Sequence, residues 1–256
     1  MEIIYSAKLK YLAGLFLWVG IFALRAANPG DVIINEIYFD AKKGLGKSHF
    51  EAVELLVVAD KLNLNGLQVS DRPIWNVPKN DQCTLQDLGH GFLSAVPSGT
   101  LIVIYDGNGT DDTNANDFTL SFYARSSLYC NVAPTGNAFS FRKPGKSLHL
   151  LYLNGQVDFL KYRASNATHN GPADPGKLGW ENGVKGYIDV GMIGENVGFR
   201  FLGNKADLND FPAAWMAYSE DYKKDNNLGK PNGGVNTVWI EALRAKASQA
   251  QTAVPK

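Results

Sequence analysis

The chain has 256 residues, 45% of them hydrophobic, with 26 glycines and a formal net charge of zero. That length and apolar content argue against a disordered chain and suffice for a sizeable core. Neutrality argues against a nucleic-acid reader, which carries a basic footprint.

The first residues set an expectation for compartment. Lys8 and Lys10 precede an apolar stretch over 11–24, and the small residues Ala26 and Ala27 follow. A basic start, an apolar run of about 7–15 residues and a small-residue exit describe a secretory signal peptide. The run is shorter than the roughly 18–20 residues that span a bilayer. Residues 1–26 are therefore expected to be a signal peptide cut after Ala26, the other reading being a retained anchor. Cleavage leaves no membrane span. The expected location is exported: extracellular, cell surface or periplasm. Cys83 and Cys130 are the only cysteines. An even pair in an oxidising compartment predicts one disulfide, worth about 3–4 kcal/mol by loop closure; two buried thiols are the alternative.

Short apolar or alternating runs then follow one another. They predict strands at residues 31–39, 52–58, 64–70, 101–105, 118–122, 147–153, 157–162, 187–190, 198–201 and 214–219, where β-branched and aromatic residues concentrate. Asn154-Gly155 is the strongest hairpin signal, because a type I′ turn needs positive φ at both central residues. Many short strands predict an all-β sandwich or barrel as one domain over 27–235. Residues 237–250 are the one convincing helical stretch, within a tail over 236–256 that either docks or frays. Two long connections, 71–96 and 163–186, interrupt the rhythm, and connections of that length in a compact domain are usually functional.

Several segments form an ordered series: Val32-Ile-Ile-Asn-Glu-Ile, Phe50-Glu-Ala-Val-Glu-Leu, Leu62-Asn-Leu-Asn-Gly-Leu-Gln-Val-Ser-Asp, and Val96-Pro-Ser-Gly-Thr-Leu-Ile-Val. The series continues with the hairpin that begins at Lys146, then Gly198-Phe-Arg, Trp215, and Asn227-Leu-Gly-Lys-Pro-Asn. In that order these segments resemble the lamin-tail family, and the resemblance spans residues 31–232. It implies an immunoglobulin-like β-sandwich, here with long loop insertions and a short C-terminal helix. It also implies an interaction role, and it brings no catalytic residues. The sequence departs from the family where Leu56 and Val57 follow Glu54-Leu55, and where Leu228 replaces a proline.

Three groups of residues bear on function. Behind the strand at 101–105, Asp106, Asn108, Thr110 and Asp112 have the alternating spacing of the start of a calcium loop, and Asp117 closes it. Asn, Asp and Gly also dominate ordinary turns, so an ion site and a turn both stay open, and calcium is the only cofactor in view. Glu36 and Glu54 sit inside apolar strands, where a lone charge is costly. They read as structural, tying off loop amides or pairing with an arginine such as Arg200; the sharper reading is a general acid/base pair. Arg72, Trp75 and Trp180 lie in the long connections, where tryptophan and arginine act as interface anchors or plug the end of the fold.

No nucleophile elbow or zinc spacing is present, and His49, His90, His149 and His169 form no pair at metal spacing; His90 and His169 are catalytic only if a base and an orienting acid converge on them in space. His149, in an alternating strand, reads as a structural imidazole. The expected function is an exported, non-enzymatic binding domain that engages a protein or a surface polymer through its loops. A metal-assisted secreted hydrolase using the 106–117 loop and a purely structural envelope component are the alternatives.

Overall fold

The computed structural model describes residues 25–39, 51–70, 82–132, 147–153, 155–164, 189–193, 197–219 and 227–252. Among the described residues the protein is mostly β-sheet, with one α-helix, toward the C-terminus. Strands β2 (Val32–Phe39), β3 (Glu51–Val57), β7 (Leu101–Tyr105), β8 (Thr119–Tyr123), β13 (Val197–Phe201) and β14 (Trp215–Ser219) build one sheet in the order β14-β13-β2-β3-β7-β8. Strands β5 (Gln68–Ser70), β6 (Gln82–Leu85), β9 (Cys130–Val132), β10 (Ser147–Tyr152), β11 (Gly155–Ala164) and β12 (Asp189–Ile193) build a second, ordered β12-β11-β10-β5-β6-β9. The short strands β1 (Arg25–Ala26) and β4 (Leu62–Asn63) pair with each other. Neighbours are antiparallel except β7–β8, β11–β12 and β1–β4.

The two six-stranded sheets share one apolar core. Ile34, Ile37, Val53, Leu55, Ile102, Ile104 and Phe122 of the first meet Val69, Leu85, Leu148, Leu150 and Leu160 of the second. Burying each such side chain contributes roughly 1.5–3 kcal/mol. Alternation explains most of this, since every second residue of a strand faces one side. In β2 the inward residues are Val32, Ile34 and Ile37, a spacing that strict alternation forbids. A β-bulge at Asn35 resolves it: Ile34 pairs with Leu55 and Glu36 with Glu54, leaving Asn35 as the extra residue.

The other face of the first sheet is also covered. Every residue of β3 is buried. Helix α1 (Gly234–Thr252) sets Ile240 against Ile33, Leu56, Leu101 and Phe201. The tail thus docks rather than frays, and Arg244 fastens it through bonds to the Gly99 and Phe118 carbonyls. No helix among the described residues is long and apolar enough to cross a membrane.

Cys83 and Cys130 are bonded, with Cα atoms 5.4 Å apart, and join the adjacent strands β6 and β9. Neither of these strands is anticipated by the sequence pattern. Both are short, and β6 divides the predicted 71–96 connection. The predicted strand at 64–70 is also shortened to β5, because a turn at Asn65-Gly66, in which Gly66 has φ of 93°, takes up its first residues; β4 ends before it begins. The β10–β11 hairpin forms as expected, but its turn is displaced. Gly155 already belongs to β11, paired with Tyr152, and Leu153 takes the positive φ of 47°. Burial of Leu148, Leu150 and Tyr152 on one strand and Val157 and Leu160 on the other sets that register over the local preference of Asn-Gly.

Candidate functional site

The carboxylates that stand out in the sequence are gathered around the β2 bulge. Glu36 and Glu54 are cross-strand neighbours and both are fully buried. Glu54 accepts the Asn35 side-chain amide at 2.7 Å and the Gly229 N–H at 2.6 Å. Burial, reinforced by the Glu36 carboxylate, holds the Glu54 pKa well above the usual carboxylate range, against the opposing pull of those bonds. Glu36 accepts a hydrogen bond from the Tyr218 hydroxyl. Arg200, the register partner of Glu36 on β13, lies over the Tyr218 ring, 5.1 Å from its centroid. The ring fits there because Gly198 has no Cβ; one would fall 2.2 Å from the tyrosine Cζ.

A bulge exposes backbone groups that the ladder would otherwise bond, and buried groups of that kind must find partners. Here side chains supply them. Asp158, on β11 of the facing sheet, accepts the Ile34 N–H at 2.6 Å and its neighbour Phe159 N–H at 2.7 Å. Asn209 donates to the Ile34 carbonyl, and Asn232 to the carbonyls of Asn35 and Phe201. Asn236, in the first turn of α1, donates to the Gly203 carbonyl and turns its oxygen to the Asn232 N–H. Burial pushes the Asp158 pKa up to about 7 despite its two amide donors, and the nearby Asp210 adds to the rise. This polar knot ties both sheets, the 227–233 segment and the helix to one bulge. No pattern in the sequence gives Asp158, Asn209, Asn232, Asn236 or Tyr218 this role. The available signal was an aspartate inside the apolar run Val157-Asp158-Phe159-Leu160.

The 106–117 loop folds back along the edge of β8. Asp106 is nearly buried, and both of its oxygens take the Arg125 guanidinium, at 3.1 and 3.0 Å. Asp112 exchanges two backbone bonds with Ser121, and its side chain accepts the Asn114 N–H. The Asp117 side chain accepts the Thr119 N–H, and that of Asp111 the Tyr123 N–H at 2.9 Å. Gly109 lies on the Tyr123 ring, where a Cβ would fall 2.5 Å from ring carbons. Asn108 and Thr110 are exposed. The candidate ligands Asp106, Asp112 and Asp117 therefore face separate partners, and among the described residues no group of three or more His, Cys, Asp or Glu side chains is placed to hold a metal.

His149 is fully buried with its ring 4.7 Å from that of Phe159, and His90 meets the ring of Tyr129 edge-on. His49, His169, Arg72, Trp75 and Trp180 lie outside the described residues, but the strands that bound the last three are in place. In the second sheet β10 runs antiparallel to both β5 and β11, and β6 to both β5 and β9. Ser70, Val132, Ser147 and Ala164 therefore lie at one end of that sheet. Segments 71–81, 133–146 and 165–188 all leave from there. In the first sheet Phe39, Glu51, Val197 and Ser219 share an end, and Asp106 joins them by donating its N–H to the Glu51 carbonyl.

The two ends belong to one rim. Ile193 pairs with Ala164, and only residues 194–196 separate it from Val197. That link reaches at most about 14 Å, close to the spacing of packed sheets of about 10 Å. The described strand ends from which 71–81, 133–146 and 165–188 leave are thus on this rim. No family model, curated protein or solved structure matches the chain.

Proposed function

We propose that this chain is an exported, non-enzymatic interaction domain with an immunoglobulin-like, lamin-tail-like sandwich, and that it engages a protein or surface polymer through the segments on its rim. The observation that carries this reading is the shared origin of the connections. Residues 71–81, with Arg72 and Trp75, and 165–188, with Trp180, start from strand ends on one side of one sheet. A rigid two-sheet base with variable connections at one end is a common way to present a binding surface.

Three further observations support it. The carboxylates that invite a catalytic reading are bonded within the fold: Glu54 to a backbone amide, Glu36 to a tyrosine hydroxyl and Asp106 to an arginine. The segments that resemble the family also engage one another: the closing Asn227-Leu-Gly-Lys-Pro-Asn places Gly229 on Glu54 and Asn232 on the Asn35 carbonyl. The bonded cysteine pair accords with an oxidising compartment.

The test is capture of partners from the source's envelope and medium with the wild-type chain and with Trp75→Ala, Trp180→Ala and Arg72→Ala. Loss of the captured partner with an unchanged melting curve is expected for at least one tryptophan. Capture that survives all three substitutions together defeats the loop reading.

A further inference from the structure

The geometry points to a self-association edge on β14, at which two copies of this chain join antiparallel into one continuous sheet. This goes beyond the rim, since among the described strands β14 is an edge of the first sheet.

The argument starts from the hydrogen-bond register. β13 and β14 pair so that Phe201 opposes Trp215, Arg200 opposes Met216 and Gly198 opposes Tyr218. One step further, the Leu202 N–H donates to the Ala214 carbonyl at 2.7 Å. Residues 202 and 214 are directly opposed, so theirs is a hydrogen-bonded pair. Such pairs alternate along an antiparallel ladder, which makes Arg200–Met216 and Gly198–Tyr218 hydrogen-bonded pairs as well. The backbone groups of Met216 and Tyr218 thus face β13. Those of Trp215, Ala217 and Ser219 point away from the sheet.

That outward set has an odd number of members and is centred on Ala217, which is exposed. A two-fold axis at Ala217 pairs it with its own copy and Trp215 with Ser219 of the copy, as an isologous contact requires. Nothing on the strand opposes this. Proteins protect edge strands with charges, prolines, bulges, short length or a covering segment. Trp215-Met-Ala-Tyr-Ser has no charge and no proline, and it pairs with β13 without a register shift. The β8 and β9 edges, by contrast, are protected: Asp112 and Ser121 exchange two bonds over β8, and β9 is three residues long with Asn131 exposed.

The strand also carries an exposed apolar side chain: Met216 is 37% exposed, and Phe211, four residues before the strand begins, is 56% exposed. A second copy is the occupant these features fit: β14 meets its own image in antiparallel register, with the outward groups of Trp215, Ala217 and Ser219 matched and no like charge on either strand.

Sedimentation velocity over a wide concentration range tests this on the purified chain, on Ala217→Lys and on Ala217→Pro. The lysine sets two like charges against each other at the axis. The proline removes only an outward N–H, which an edge strand tolerates. The wild type is expected to shift reversibly from monomer to dimer mass with concentration, while both variants stay monomeric with unchanged circular dichroism. A wild type that is monomeric at its solubility limit overturns the proposal, and so does a dimer that persists in both variants. Should either variant unfold, hydrogen exchange on the wild type decides. Slowing of the Trp215, Ala217 and Ser219 amides as concentration rises supports the edge, and rates independent of concentration overturn it.

Discussion

Glu36 and Glu54 stand directly opposite each other on adjacent antiparallel strands, and neither is exposed to solvent. Two like charges there would repel across a medium that screens poorly. The pair is retained because its oxygens are needed as acceptors. Glu54 holds the Gly229 N–H and the Asn35 side chain, and Glu36 takes the Tyr218 hydroxyl.

Glu54→Gln tests that role. The amide offers one acceptor where the carboxyl offers two, so either Gly229 or Asn35 loses its partner. Leaving a buried donor unsatisfied costs about 1–3 kcal/mol, more than relief from Glu36 returns if Glu54 already holds a proton. Equilibrium denaturation should show that loss at pH 7. A variant as stable as the wild type would mean that repulsion dominates the pair.

Asp158 predicts a pH dependence of definite sign. Its folded pKa of about 7 lies above the ordinary aspartate value, so the folded state binds the extra proton. Its contribution to stability is fully present below the unfolded pKa, near 4, and is lost as pH rises through the folded value. Glu54, raised by the same cause, acts in the same direction. Denaturation from pH 4 to pH 8 should show Asp158→Asn flattening the decline between pH 4 and pH 7. An unchanged slope would place the dependence elsewhere.

Gly99 is where the helix meets the sheet. Its φ is 83°, and a Cβ would stand 2.6 Å from the Arg244 Cγ and 2.9 Å from the Arg244 nitrogen. Backbone cannot move aside as a flexible side chain can. Gly99→Ala should lose on the order of 2–3 kcal/mol through strain and displacement of α1. The check is thermal unfolding, together with Trp239 fluorescence as a reporter of docking.

The Asp106 carboxylate is held by Arg125 on both oxygens, so an ion at this loop must first displace the guanidinium. Millimolar calcium is expected to leave the melting temperature unchanged. A rise of several degrees that disappears in Asp106→Ala and Asp112→Ala would make the loop an ion site.

The strands were legible where one face of a long run is apolar. β7 lies where the pattern places it, and β3, β8, β10, β13 and β14 begin or end within a residue or two of expectation. What stayed hidden depends on partners distant in sequence. β6 and β9 are too short to show a period, and they are strands because each lies beside a neighbour and Cys83 is bonded to Cys130. The bulge at Asn35 is invisible in Ile-Ile-Asn-Glu-Ile, since it exists only relative to the register with β3. The structural role expected for Glu54 agrees with its bond to a loop amide, but that the amide belongs to Gly229, 175 residues away, could not be read locally.

The rim is most directly tested by photo-crosslinking from described, exposed positions. A photoreactive residue at Asn108, on the rim beside Asp106, is compared with one at Ser248, on α1 away from it. In the presence of the source's envelope fraction and medium, Asn108 should cross-link a discrete partner and Ser248 should not. Cross-links from Ser248 alone, or equal labelling from both, would contradict binding through the rim.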